Sequence, residues 1–94
     1  MDGACVRSMR ERMGVSQRYL ALLLKMGHMR IWAWESGRHK PTGFNRTVME
    51  LLEGALKKHS PEHVTECLYG TFGHKETVIT TLVELNKPIE VKKT

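Results

Sequence analysis

The chain has 94 residues, a net charge of +5 and 40% hydrophobic residues, a balance that predicts one small globular domain. No apolar run approaches membrane-spanning length. The opening "MDGACVRSMRERMG" lacks the apolar core of a signal peptide, so a cytoplasmic location is expected. Charge is uneven: residues 1–59 hold eleven Lys and Arg against five Asp and Glu, whereas residues 60–94 hold four against five. A basic first part fits a polyanionic partner. Cys5 and Cys67 lie far apart, form no CxxC pair and read as free thiols in a reducing compartment.

In chain order, "VRSMRERMG" puts Val6, Met9, Arg10 and Met13 on one helical face, and Gly14 ends the segment. "VSQRYLALLLKMG" opens on Ser16, a good N-cap, and carries an apolar stripe of Leu20, Ala21, Leu23 and Leu24. Only Lys25, Met26 and Gly27 separate that helix from the next, "HMRIWAWES", which Gly37 stops. So short a connection forces the two helices to cross steeply. The basic loop "RHKPTG" leads to a fourth helix in which Phe44, Val48, Leu51, Leu52, Ala55 and Leu56 recur at helical spacing. Ser60-Pro61-Glu62 reads as another helix entry, with Val64, Cys67 and Leu68 as its apolar face. In "ETVITTLVELNKP" the residues Val78, Leu82 and Leu85 fit a helix, while the Thr, Val and Ile content suits a strand equally. "IEVKKT" is a strand or a frayed tail.

Both tryptophans fall in the third helix. Ile31 and Trp34 share a face and belong inside with Leu20 and Leu24, whereas Trp32 points outward with His28 above the basic loop. Trp32 meets either a nucleic-acid backbone or a protein surface.

Several features at fixed spacing resemble the Cro/lambda-repressor-like helix-turn-helix family, also called the xenobiotic-response-element family: Gln17, Leu20-Ala21, the turn Lys25-Met26-Gly27, Ile31, Trp34-Glu35, Gly37 and Pro41. The resemblance runs from Val6 to about Leu56 and is nearest to antitoxin-type and phage-type members. It implies an all-α helix-turn-helix bundle over residues 1–59. A short C-terminal extension, residues 60–94, holds a helix and either a second helix or a terminal strand. Ala21 is then small because two helices cross beside it, and Arg10 pairs with Glu35 to tie helix one to the end of the recognition helix. Exposed, such a pair contributes at most about 1 kcal/mol. Gly37 supplies the left-handed helix stop. Two positions depart from the pattern. Lys25 stands where the family has a turn glycine, at a strain of about 1 kcal/mol, and Gly27 is a weaker cap than Ser or Thr.

In this motif the N-terminal half of the second helix of the pair enters the major groove. That assigns His28, Met29, Arg30 and Ala33 to base edges, with Arg30 placed for guanine and Met29 or Ala33 for a thymine methyl. Gln17 matches the family position that grips a phosphate, and Arg18, Trp32, Arg38, His39, Lys40 and Arg46 are candidates for further backbone contacts.

The expected function is sequence-specific binding of double-stranded DNA by a homodimeric autorepressor of a phage, plasmid or toxin–antitoxin operon, on an inverted-repeat operator. The extension, through Val64, Leu68, Tyr69, Phe72, Val78, Leu82 and Leu85, is expected to supply the dimer contact. The alternative is an antitoxin whose extension neutralises a protein toxin. RNA binding fits less well, because exposed aromatics do not cluster beyond Trp32. His59, His63 and Cys67 fall four apart like a metal-ligand stripe, yet the helix start at Ser60-Pro61 interrupts the spacing and no fourth ligand is evident. Cys67 instead reads as a small buried residue. No phosphate loop, paired catalytic carboxylates or nucleophile–base signature occurs, so neither an enzyme nor a cofactor is expected.

Overall fold

Local chemistry sets where each helix begins and ends. The computed structural model describes residues 1–71 and 74–88. Among these the chain is all-helical, in the order α1 (Gly3–Met13), α2 (Gln17–Leu24), α3 (His28–Glu35), α4 (Gly43–Lys58), α5 (Pro61–Tyr69) and α6 (Lys75–Asn86). Asp2, Ser16 and Ser60 stand at three helix starts, and their side chains accept hydrogen bonds from the amides of Cys5 (2.9 Å), Tyr19 (3.0 Å) and His63 (3.2 Å). Each satisfies an amide that has no partner within its own helix. Pro61 sits in the first turn of α5, where its missing N–H leaves no bond unmade.

The connections flanking α3 share one device. After α2, Lys25 adopts the left-handed conformation (φ 56°), so that the Met26 amide donates to the Ala21 carbonyl (2.9 Å) and the Lys25 amide to Leu22 (3.2 Å). After α3, Gly37 does the same at φ 80°: the Arg38 amide donates to Ala33 (3.0 Å) and the Gly37 amide to Trp34 (3.2 Å). These nested bonds satisfy the last carbonyls of each helix and reverse the chain at once. They make α3 a short rod with both ends sharply turned.

A single core joins all six helices. Leu20, Leu23 and Leu24 of α2 and Ile31 and Trp34 of α3 meet Val6 and Met9 of α1 and the stripe Val48, Met49, Leu52, Ala55 and Leu56 of α4. Trp32 faces outward while Trp34 is buried. Val64, Leu68, Val78, Leu82 and Leu85 belong to this same core. That corrects the expectation that they form a dimer or toxin contact: the last third of the chain covers α4, and these five side chains are already occupied. Of the remaining two residues assigned to that contact, Tyr69 is exposed and Phe72 lies outside the described residues. Residues 75–86 are helix, which resolves the helix-or-strand alternative for that segment; the terminal strand or tail, 89–94, also lies outside the described residues.

α4 and α6 run side by side in the same direction. They close tightly at the Asn86 end, where the Asn86 side-chain amide donates to the carbonyls of Leu51 (2.8 Å) and Leu82 (2.7 Å). Gly54 makes this approach possible, because a Cβ there would collide with the Asn86 carboxamide. At the other end the pair stays open. Phe44, expected in the α4 core stripe, is 56% exposed and lines an open cleft with Lys75, Glu76, Ile79 and Thr80 of α6. The buried stripe of α4 begins one turn later, at Val48.

Candidate nucleic-acid interface

The side chains assigned to the interface are held by a buried ion cluster beneath α3. Glu35, the last residue of α3, has a side chain only 1% exposed. Arg10 of α1 grips it with two prongs, Nε to Oε2 at 2.7 Å and Nη2 to Oε1 at 2.8 Å, and donates through Nη1 to the Val15 carbonyl at 3.0 Å. Arg7 Nε and Gln17 Nε2 each reach Oε1 at 3.3 Å. Burial alone pushes the Glu35 carboxyl up. The hydrogen bonds from Arg10, Gln17 and Arg7, together with the Arg10 charge, outweigh this and hold it below the ordinary carboxylate range. The Arg10 guanidinium is correspondingly raised, chiefly by its hydrogen bond to Glu35. The cluster fastens α1, the start of α2 and the end of α3 together.

Gln17, assigned to a phosphate, has a partner within the chain. Its half-buried side chain donates to Glu35, which places it at the base of α3. Arg7 was missed as a member of the cluster, although its place three residues before Arg10 on one helical face would have signalled it. Ala21 is buried in the core beside Leu20, as a close crossing of α2 and α3 requires.

On the outer side of α3 lies an open cleft of about 550 Å³. Met29, Arg30, Ala33 and Trp34 of α3 form one wall, and His39, Lys40, Thr42 and Asn45 form the other. Arg30 and Lys40 bring the charge, His39 adds a polar ring, and among the described residues no carboxylate lines the cleft. Four of the assigned residues outside the core, Met29, Arg30, His39 and Lys40, therefore converge and are exposed; Ala33 forms the floor and is half-buried. Thr42 and Asn45 were not foreseen. The signal was present, since Thr42 is the residue before the α4 helix and Asn45 falls in its first turn.

The other assigned residues lie outside the cleft. His28 is exposed at the first position of α3, and Arg18 is exposed on α2. Arg38 does not extend free into solvent: its guanidinium carbon lies 4.9 Å from the centre of the Trp32 ring, which is 39% exposed. Stacking a cation on an indole restricts it to one side of the loop. Arg46 pairs with Glu50 one turn along α4 (2.7 Å), so its charge is partly neutralised where it stands.

The His59, His63 and Cys67 series is spread between two jobs. His59 Nε2 meets the Leu85 carbonyl at 2.9 Å, and His63 Nε2 lies 3.7 Å from Cys67 Sγ. Among the described residues no group of three His, Cys, Asp or Glu side chains is placed to hold a metal ion. Cys67 is half-buried on the α5 surface, not buried as expected, because the core side of that turn is filled by Val64 and Leu68. Cys5 is also a free thiol; it donates to Glu53 Oε2 at 3.2 Å, and burial followed by that carboxylate pushes its pKa up.

No helix among the described residues is long and apolar enough to cross a membrane. Compared with known proteins, the chain matches no family model, no curated protein and no solved structure.

Proposed function

We propose that the chain is a Cro/lambda-repressor-like helix-turn-helix protein that binds double-stranded DNA in a sequence-specific way as a homodimeric regulator, acting as an autorepressor of a phage, plasmid or toxin–antitoxin operon. One observation carries this reading. A short helix with sharply turned ends presents an exposed outer face, and the cleft along that face is lined by Arg30, Lys40 and His39 and, among the described residues, by no carboxylate. Basic side chains next to a helix of this size suit a duplex, whose groove admits the helix while its phosphates meet the flanking cations.

In this arrangement α3 enters the major groove, with His28, Met29, Arg30 and Ala33 toward base edges. Lys40, His39 and Arg38 follow the backbone, and Thr42 and Asn45 add neutral donors beside them. The buried Arg10–Glu35 pair acts at a distance from the DNA by fixing the angle of α3 against α1. An antitoxin that works mainly through its C-terminal third has less support, since five of the seven side chains assigned to that contact are buried in the core.

The decisive experiment is selection from random duplex DNA, followed by anisotropy on the enriched duplex, a scrambled duplex and the corresponding single strands. The expected result is an enriched inverted repeat with half-sites about 10 base pairs apart and binding that weakens steeply with salt. No enrichment, or equal affinity for single strands, would defeat the reading.

A further inference from the structure

We propose that the open end of the α4–α6 pair, centred on Phe44 and Ile79, is a self-association face that takes a second copy of this chain about a two-fold axis. The inference deepens the dimer in the reading above and rests on it for its purpose, but its test needs no DNA.

Three observations support it. First, apolar side chains here are uncovered: Phe44 is 56% exposed, Val83 is 42% exposed and Ile79 is half-buried. Ile79 and Val83 are one turn apart on α6 and so form a continuous strip. Phe44 and Ile79, the first residue of that strip, share a cleft of about 390 Å³, open because α4 and α6 close at the Gly54–Asn86 end, and Val83 continues the strip one turn beyond it.

Second, the rim charges are self-complementary. Lys75 and Glu76 line the same cleft, and neither takes part in an ion pair among the described residues. A two-fold axis brings residue i of one copy against residue j of the other, and j against i. Lys75 then meets Glu76 twice, once on each side of the axis. A partner carrying one predominant charge would satisfy one of the two residues and repel the other. The surrounding segment is also not basic, since residues 60–88 hold Lys75 and Lys87 against Glu62, Glu66, Glu76 and Glu84, so two copies approach here without the repulsion of the N-terminal part.

Third, the first turn of α4 lines both clefts: Thr42 and Asn45 border the cation-lined one, and Phe44 borders this one. A contact at Phe44 is therefore within a few residues of the candidate DNA face in each copy, and a two-fold pairing matches the symmetry of an inverted repeat. Three partly exposed apolar residues bury far less than the roughly 800 Å² per partner of a stable complex, so the free dimer is weak.

The test is sedimentation equilibrium of the full chain without DNA, from micromolar to near-millimolar loading. A reversible monomer–dimer equilibrium is expected, weakened about tenfold or more by Phe44→Glu or Val83→Glu. Lys75→Glu and Glu76→Lys should each weaken it alone, because each makes a like-charged pair. Mixing these two variants should restore association, and so should combining both substitutions in one chain. All four positions are on the surface, and circular dichroism should give wild-type helicity and melting for each. The proposal is overturned by a monomer at every concentration, by a dimer indifferent to Phe44→Glu and Val83→Glu, or by failure of the mixed charge variants to associate. A dimer that obeys these rules yet shows no duplex binding would defeat the DNA reading and leave this face standing.

Discussion

Arg10 and Glu35, twenty-five residues apart, form a two-pronged ion pair whose carboxylate is almost wholly buried, and α3 is held in place from below by that pair. Removing the arginine leaves a buried carboxylate with only Arg7 and Gln17 to satisfy it. Breaking a buried pair in this way costs about 3 kcal/mol or more, so Arg10→Ala should lower the urea midpoint sharply at neutral pH. The pH dependence has a definite sign. The folded Glu35 pKa lies below its unfolded value, near the ordinary 4.3 or so, so the stabilisation is fully present above that value and is lost as pH falls through the folded pKa. The penalty of Arg10→Ala should therefore shrink in acid, and Glu35→Gln should flatten the acid limb of the stability curve. A penalty independent of pH would show that the pair is not what stabilises α3.

Arg30 and Lys40 share the cation-lined cleft but should fail differently. Arg30→Ala is expected to lose about 1–3 kcal/mol on the preferred site and to relax the preference at one base pair per half-site. Lys40→Ala should weaken matched and scrambled duplexes alike and reduce the salt slope by about one counterion per subunit. Anisotropy across a salt series separates the two. A change of preferred base in Lys40→Ala would mean that α3 does not dock in the way proposed.

Trp32 should act through Arg38. Since the guanidinium rests on the indole ring, removing the ring frees the cation that the loop presents. Trp32→Ala and Arg38→Ala should each weaken duplex binding, and the double variant should be little worse than either. Fully additive losses would assign Trp32 a contact of its own with the DNA.

Lys25 holds a left-handed conformation that disfavours any side chain. Lys25→Gly is expected to raise stability by up to about 1 kcal/mol, visible as a higher melting temperature. A fall in melting temperature would indicate that the lysine makes a compensating contact.

Truncation after residue 59 removes Val64, Leu68, Val78, Leu82 and Leu85 from the common core and uncovers one side of α4. The shortened chain should lose cooperative thermal unfolding. In the full chain, Leu82→Ala should cost about 2–5 kcal/mol, as for other buried leucines. A truncated chain that melts cooperatively would show that α1 to α4 are an independent unit.

Much of this molecule is legible residue by residue because its causes are local. The caps at Ser16 and Ser60, the stops at Gly14 and Gly37 and the strained turn at Lys25 each depend on hydrogen bonds spanning a few residues, and spacing in the chain determines those. The split between Trp32 and Trp34 follows in the same way from helical periodicity. What periodicity leaves undetermined is which surface covers an apolar face. Val78, Leu82 and Leu85 would read identically in a core or at a dimer contact, and only the packing of α6 along α4 made them core. The same packing left Phe44 outside, because the pair closes at Gly54 and Asn86, thirty-two residues apart, and not at its other end. Gln17 likewise had two polar destinations, and the buried carboxylate of Glu35 drew it inward, since an under-satisfied buried charge is far more expensive than an amide left in water.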